Sequence, residues 1–185
     1  MEVNRRRSRP FYLNEGLPQG SSISPILFLI FISDILDEVD ARPSLFADDT
    51  AVWIATGRNK KEAEKNMQRN INKIQDWADR WKMALNHDKT EAMVISTDAG
   101  DLGWKPRLHL KGKSIKIVKL YKFLGVTIDG GLRFNLHVNR IIAKCKKRIN
   151  IMKCLKGKDW GQSLETQRTL YYVYIRSAME YACQA

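Results

Sequence analysis

Two adjacent carboxylates, Asp48 and Asp49, stand between two short apolar runs, Ser44-Leu45-Phe46 before them and Ala51-Val52-Trp53-Ile54-Ala55 after. Runs of that length and composition read as paired β-strands, which puts the pair at or next to the turn joining them. Carboxylates side by side repel, and both stay ionised more readily with a cation beside them. A hard divalent ion such as Mg²⁺, held by one or two carboxylates together with substrate phosphates, suits that chemistry. Asp also favours turns and solvent in its own right, so the pair taken alone leaves a metal site and an ordinary turn both open.

The segments around the pair must position it. Upstream, Gly16-Leu17-Pro18-Gln19-Gly20-Ser21-Ser22-Ile23-Ser24-Pro25 combines two glycines with prolines, a backbone of special dihedrals and small side chains that another backbone or a nucleotide can approach. Ser24-Pro25 reads as an N-cap followed by proline in the first turn of a helix running to about Val39. That helix is apolar on most sides and is expected to be buried. Downstream, Asn59 is expected to cap a helix from Lys60 to about Leu85. Its apolar stripe is Ala63, Met67, Ile71, Ile74, Ala78 and Trp81, with Trp77 and Trp81 as packing residues. Asn86 to Thr90 is turn-like, Glu91 to Ser96 a strand, and 97–106 a loop. Arg107 to Val118 reads as a hairpin about Gly112-Lys113, and Tyr121 to Ile128 as a further strand. Val138, Ile141, Ile142, Cys145, Ile149, Met152 and Leu155 then form one helical stripe, and a last helix spans Leu164 to Ala182.

Charge supplies the partner class. The 185 residues hold 32 Lys and Arg against 20 Asp and Glu, a net charge of +12, which suits a polyanion, nucleic acid before a membrane surface. The excess is concentrated: from Arg140 to Arg168 nine basic residues face only Asp159 and Glu165. An apolar back with a cationic front is the usual footprint of phosphate-backbone contact, although solvated charged faces are common on helices. Arg5, Arg6, Arg7 and Arg9 form a basic tail over 1–13, read as solvated or as a weakly specified nuclear-targeting patch. The three cysteines include no Cys-x-x-Cys pair and are not spaced to join the three histidines in a zinc site, so they read as reduced thiols. No signal peptide is apparent, and the longest apolar run, Ile26 to Ile32, is too short to span a membrane. The expected location is intracellular, nucleus or cytoplasm, and not secreted.

Four segments in order now resemble one family: Gly16-Leu17-Pro18-Gln19-Gly20-Ser21, Phe46-Ala47-Asp48-Asp49, Leu85-Asn86-His87-Asp88-Lys89-Thr90-Glu91 and Phe123-Leu124-Gly125-Val126. Together they are similar to the later palm motifs of reverse transcriptases, most of all those of non-LTR, LINE-type and jockey-like retrotransposons. The resemblance covers about residue 14 to the end. It implies an α+β fold: a polymerase palm-type antiparallel sheet packed on helices over 14–132, then a helical thumb over 133–185, with the fingers absent.

The resemblance also implies roles. Asp48 matches the carboxylate that binds the catalytic metals, and Asp49 its supporting neighbour. Phe46 stands where many relatives have Tyr. Pro18, Gln19, Gly20 and Ser21 match the loop bordering incoming nucleotide and template, while Ser22 and Ile23 replace the more usual Pro and Leu. Lys89 matches a lysine near the triphosphate that helps the pyrophosphate leave. Phe123, Leu124 and Gly125 match the primer grip, and Arg140, Lys144, Lys147 and Arg148 lie on the helix that tracks the template–primer backbone. The implied cofactor is Mg²⁺, and the implied partners are an RNA template, a DNA primer and deoxynucleoside triphosphates.

One part of the family pattern has no match. Relatives hold the metals with a second Asp on a palm strand upstream of the Gln-Gly loop. Here the first Asp is Asp34, within a predicted helix, and the only earlier acids are Glu2 and Glu15. Loss of a metal ligand costs about 4 kcal/mol of transition-state stabilisation, or about a thousandfold in rate. The chain is therefore expected to be a reverse-transcriptase segment without activity by itself. The alternative from another class is a non-catalytic nucleic-acid-binding remnant.

Overall fold

The computed structural model describes residues 2–3, 6–7, 16–18, 20–55, 57, 59–155, 157 and 160–183. Gln19, Arg5, Arg9, the Phe11–Leu13 stretch, Lys156, Lys158 and Asp159 lie outside them. In chain order the elements are β1 (Glu2–Val3), β2 (Arg6–Arg7), α1 (Ser24–Ser33), α2 (Ile35–Glu38), β3 (Arg42–Phe46), β4 (Asp49–Trp53), α3 (Lys60–Arg80), β5 (Glu91–Ala92), β6 (His109–Leu110), β7 (Lys113–Ser114), β8 (Lys116–Ile117), β9 (Leu120–Phe123), β10 (Val126–Asp129), α4 (Asn135–Cys154), α5 (Leu164–Leu170) and α6 (Ser177–Glu180). A short 3₁₀ turn covers His87–Lys89, and a π-helical stretch, Tyr171–Arg176, joins α5 to α6. The fold is thus mixed helix and strand.

The strands pair two by two rather than in one sheet: β1 with β2, β3 with β4, β5 with β8, β6 with β7 and β9 with β10. Four pairs are antiparallel, but β5 and β8 run parallel, with Glu91 opposite Lys116. A continuous antiparallel sheet is therefore not formed among the described residues. The Glu91–Ser96 strand shortens to two residues, and the single strand read over Tyr121–Ile128 is a hairpin, because Leu124 (φ 46°) and Gly125 (φ 87°) turn the chain. Two successive positive φ values match the right-handed twist of the flanking strands.

The chain packs as two units, 1–89 with 107–115, and 90–106 with 116–185. In the first unit, Ile32, Ile35, Trp77 and Ala78 form the core, with Phe28, Phe31, Leu45, Ile74, Met83 and Leu85 packed against it. The helix expected over 24–39 breaks at Asp34, whose carboxylate accepts the Trp77 indole N–H at 2.9 Å. Expected burial of this helix holds only at its end: Ile26, Leu27, Leu29 and Ile30 are exposed, while Ile32 and Ile35 are buried. Its N-cap is Ile23, since the Ser24 hydroxyl donates to the Pro18 carbonyl instead.

α3 ends at Arg80, five residues before Leu85, because Trp81 and Lys82 (φ 55°) leave the helix. Asn59 caps it, its side-chain oxygen accepting the Glu62 N–H at 3.3 Å. Trp77 is core, and Trp81 lies at the rim, edge-on to Phe31 at 5.2 Å between ring centroids. Asn70 is buried on the same helix and satisfied at both ends: its oxygen accepts the Asp40 N–H, and its amide donates to the Asn66 carbonyl.

In the second unit the buried residues are few, with Thr127, Cys145 and Ile175 prominent. Of the predicted α4 stripe only Cys145 is buried, and Val138, Ile142, Ile149 and Leu155 are exposed. The predicted last helix is interrupted by the π-helical stretch.

Candidate functional site

The β3–β4 ladder pairs Arg42 with Trp53 at one end and Phe46 with Asp49 at the other. That leaves Ala47 and Asp48 as a two-residue loop. Ala47 supplies the positive φ (52°) that such tight hairpins need, at a cost for a residue with a side chain. Leu45 packs on the core and anchors the hairpin, while Phe46, Asp48 and Asp49 at its tip are exposed. Neither the Asp48 nor the Asp49 carboxylate has a hydrogen-bond or ion-pair partner among the described residues. Two carboxylates on adjacent residues thus stand without an ion-pair partner among the described residues. They fit part of the donor set of a hard divalent ion. Among the described residues no cluster of three or more His, Cys, Asp or Glu side chains is placed to hold a metal.

The glycine-bearing loop is pinned to the start of α1. The Pro18 carbonyl accepts both the Ser21 N–H at 3.3 Å and the Ser24 hydroxyl at 2.8 Å. Gly20 has φ +89°, and a Cβ there would meet nothing within 4 Å. Glycine is required by the backbone angle, and the space beside it is open.

Lys89 ends the 3₁₀ turn, its N–H donating to the Asn86 side-chain oxygen at 3.2 Å. His87 fixes that turn through a bond from Nε2 to the Ser114 carbonyl at 3.0 Å. The Lys89 side chain is exposed, and no carboxylate partner is present among the described residues. The first unit therefore holds Pro18, Gly20, Ser21, Phe46, Asp48, Asp49 and Lys89.

The second unit holds the remaining sequence-predicted residues. Phe123 ends β9, and Leu124 and Gly125 form the turn. The Tyr181 hydroxyl donates to the Leu124 carbonyl at 2.6 Å, and a Cβ on Gly125 would lie 3.2 Å from the Tyr181 ring. On α4, Arg140 donates to the Thr127 hydroxyl at 2.6 Å. Arg148 donates to the Tyr174 carbonyl and stacks over the Tyr174 ring at 4.4 Å. Lys144 and Lys147 are exposed and without partners among the described residues. The basic helix thus divides its cations between internal bonds and solvent.

Asp129 closes the loop before α4. Its carboxylate accepts the backbone N–H groups of Arg133 and Gly131, each at 3.1 Å, and of Phe134 at 2.7 Å. The Arg133 bond first, then those of Phe134 and Gly131, hold its carboxyl below the usual carboxylate range. Thr127, His137 and Tyr181 are structural partners that reading by motif missed. For His137 a signal was available, since it lies three residues before Arg140 on the same helical face.

Residues 1–128 match a family described as Reverse transcriptase (RNA-dependent DNA polymerase). The chain belongs to the reverse transcriptase family. It is similar to the RNA-directed DNA polymerase from mobile element jockey of Drosophila melanogaster, 28% identical over 177 residues, which are 91% of this chain and 19% of that protein. The jockey polymerase of Drosophila funebris is 27% identical over 186 residues, 96% of this chain and 20% of that protein. The Pol polyprotein from type-1 retrotransposable element R1 2 of Nasonia vitripennis is 28% identical over 153 residues, 79% of this chain and 37% of that protein. The similarity thus runs beyond residue 128, through most of the second unit. This chain spans about a fifth of the length of the two jockey relatives. No solved structure matches it. No helix among the described residues is long and apolar enough to cross a membrane.

Proposed function

We propose that this chain is the stretch of a non-LTR retrotransposon polymerase that supplies one metal-binding carboxylate hairpin, the nucleotide-side loop, the primer grip and a basic thumb helix. One observation carries the reading: the Asp48 and Asp49 carboxylates stand exposed, with no ion-pair partner among the described residues, at the tip of a tight hairpin anchored in the core. Such a pair is free to receive a hard divalent cation.

In the complete polymerase the reaction is nucleotidyl transfer. The 3′ oxygen of a DNA primer displaces pyrophosphate from a deoxynucleoside triphosphate opposite an RNA template. Bound Mg²⁺ ions would offset charge on the attacking and leaving oxygens. Asp48 would hold the metal, with Asp49 in support. The loop of Pro18, Gln19, Gly20 and Ser21 borders the nucleotide, together with Phe46. Lys89 presents an unpaired ammonium to the leaving group. Phe123, Leu124 and Gly125 position the primer end, and Lys144 and Lys147, with Arg140 and Arg148, follow the phosphate backbone. The setting is the nucleus or cytoplasm, where template and primer are found.

Paramagnetic Mn²⁺ tests the metal reading on this chain directly. Backbone resonances of residues 46–50 are expected to broaden selectively, and Asp48→Asn to remove the effect. In a polymerase that contains this stretch, Asp48→Asn is expected to slow primer extension on RNA about a thousandfold. Extension unchanged by that substitution overturns the assignment of Asp48.

A further inference from the structure

A cleft of about 740 Å³ lies in the first unit, at the end of the β3–β4 hairpin away from Asp48 and Asp49. The five-residue strands β3 and β4 put about 14 Å between the two ends. The lining comes from both strand ends and from one face of α3, where Glu62, Asn66, Arg69 and Asn70 recur at helical spacing. Its volume suits one small ligand.

Arg42 and Trp53 are cross-strand partners, and directly opposed residues send their side chains to the same face of a ladder. Trp53 is 39% exposed, and no other ring and no guanidinium stacks on it among the described residues. Both lining carboxylates are already engaged, Asp40 by the Lys73 ammonium at 2.9 Å and Glu62 by the Asn59 amide at 3.3 Å. The two lining guanidiniums, Arg42 and Arg69, are exposed and have no hydrogen-bond or ion-pair partner among the described residues. The charge left unpaired in the cleft is therefore cationic. Asn70, buried at 3% exposure, is fixed between the Asp40 N–H and the Asn66 carbonyl. The Asn66 side chain, half-buried beside it, has no such partner among the described residues and offers the cleft one donor group and one acceptor.

We propose that this cleft binds a free nucleoside phosphate, with the base against Trp53 and the phosphate on Arg42 and Arg69, at a site separate from the carboxylate hairpin tip. Each part of that ligand answers an observed feature. A base is a flat ring that stacks on an uncovered indole. A phosphate takes the paired donors of guanidinium groups. A side-chain amide such as that of Asn66 matches the adjacent donor and acceptor of a base edge. An aliphatic acid would leave Trp53 uncovered, and a neutral aromatic compound would leave both guanidiniums unpaired. The inference stands on this lining and not on the polymerase reading.

The test titrates the full chain, free of divalent metal, with AMP, and follows the Trp53 indole N–H and the Asn66 side-chain amide by NMR. Both are expected to shift while residues 46–50 stay unmoved. Adenosine and inorganic phosphate are each expected to bind at least about tenfold more weakly than AMP. Trp53→Leu should weaken AMP binding about tenfold, and Trp53→Phe, which keeps a ring, should retain most of it. Arg69→Gln, on an exposed part of α3 where folding is not at stake, should also weaken it about tenfold. Inorganic phosphate bound as tightly as AMP, an unchanged affinity in Arg69→Gln, or shifts centred on residues 46–50 would each overturn the proposal. A short single strand of oligoadenylate that moves the same resonances at far lower concentration than AMP overturns the free nucleotide as occupant.

Discussion

The phenolic hydroxyl of Tyr181 donates to the carbonyl oxygen of Leu124 at 2.6 Å, tying the end of the last helical segment to the turn of the β9–β10 hairpin. That turn has two positive φ angles, and Gly125 at its second position has the Tyr181 ring against it. The segment proposed to position a primer end is therefore clamped from within its own unit.

Tyr181→Phe should leave the ring in place and remove the bond, a loss of about 1 kcal/mol. Gly125→Ala should cost more, about 1–2 kcal/mol, because a side chain there faces both a φ of +87° and the tyrosine ring 3.2 Å away. Urea unfolding measures the totals. Hydrogen exchange locates them, with faster exchange expected at the β9–β10 amides in both variants. Equal stability in wild type and Gly125→Ala counts against the clamp.

Asp34 and Trp77 make the corresponding pair in the first unit. The indole ring is fully buried, and its N–H is satisfied by the Asp34 carboxylate at 2.9 Å. Trp77→Ala is expected to cost about 3–5 kcal/mol through the cavity it leaves. Asp34→Ala should cost about 1–3 kcal/mol by stranding the indole N–H. Trp77→Phe combined with Asp34→Ala should then be less than additive, since the two side chains share one bond. Strict additivity in the double-mutant cycle defeats the pairing.

Asp129 makes the second unit acid-sensitive. Backbone N–H groups of Arg133, Phe134 and Gly131 stabilise its charged form and lower its pKa in the folded state. A depressed carboxyl pKa contributes stability that is fully present above the unfolded value, near 3.8, and is lost as pH falls through the folded one. Unfolding midpoints for the second unit should therefore decline below about pH 4. Asp129→Asn should lower the midpoint at pH 7 and flatten that decline. An unchanged pH slope in the variant rules Asp129 out as its source.

Much of the local structure was legible because it is set within a few residues. The Asp48-Asp49 hairpin, the Asn59 cap and the packing role of Trp77 follow from turn chemistry, capping and periodicity within a few residues. Features set by distant partners were not legible. α1 breaks where Asp34 meets Trp77, forty-three residues away in sequence. Ser24 gives its hydroxyl to Pro18 rather than capping the helix it begins. The Tyr121–Ile128 run reads as one strand because Leu124 adopts a positive φ that its side chain disfavours. Apolar composition predicted burial for α1, and periodicity an apolar stripe on α4, but neither reports whether anything covers the apolar surface.

Ala47 carries the strain that makes the carboxylate hairpin tight. Its φ of 52° costs an L-residue about 1–2 kcal/mol, part of which glycine would return after its greater freedom in the unfolded chain. Ala47→Gly should therefore raise stability by up to about 1 kcal/mol and leave the Phe46–Asp49 register intact, with the cross-strand NOEs of that pair preserved. The effect on the metal runs the other way. Glycine lets the loop sample other dihedrals, so Asp48 and Asp49 spend less time in the geometry proposed to receive a cation. Mn²⁺ affinity, read from broadening at residues 46–50, should fall severalfold although the fold is firmer. A variant both more stable and equally tight for Mn²⁺ separates the strain at Ala47 from the function of the pair.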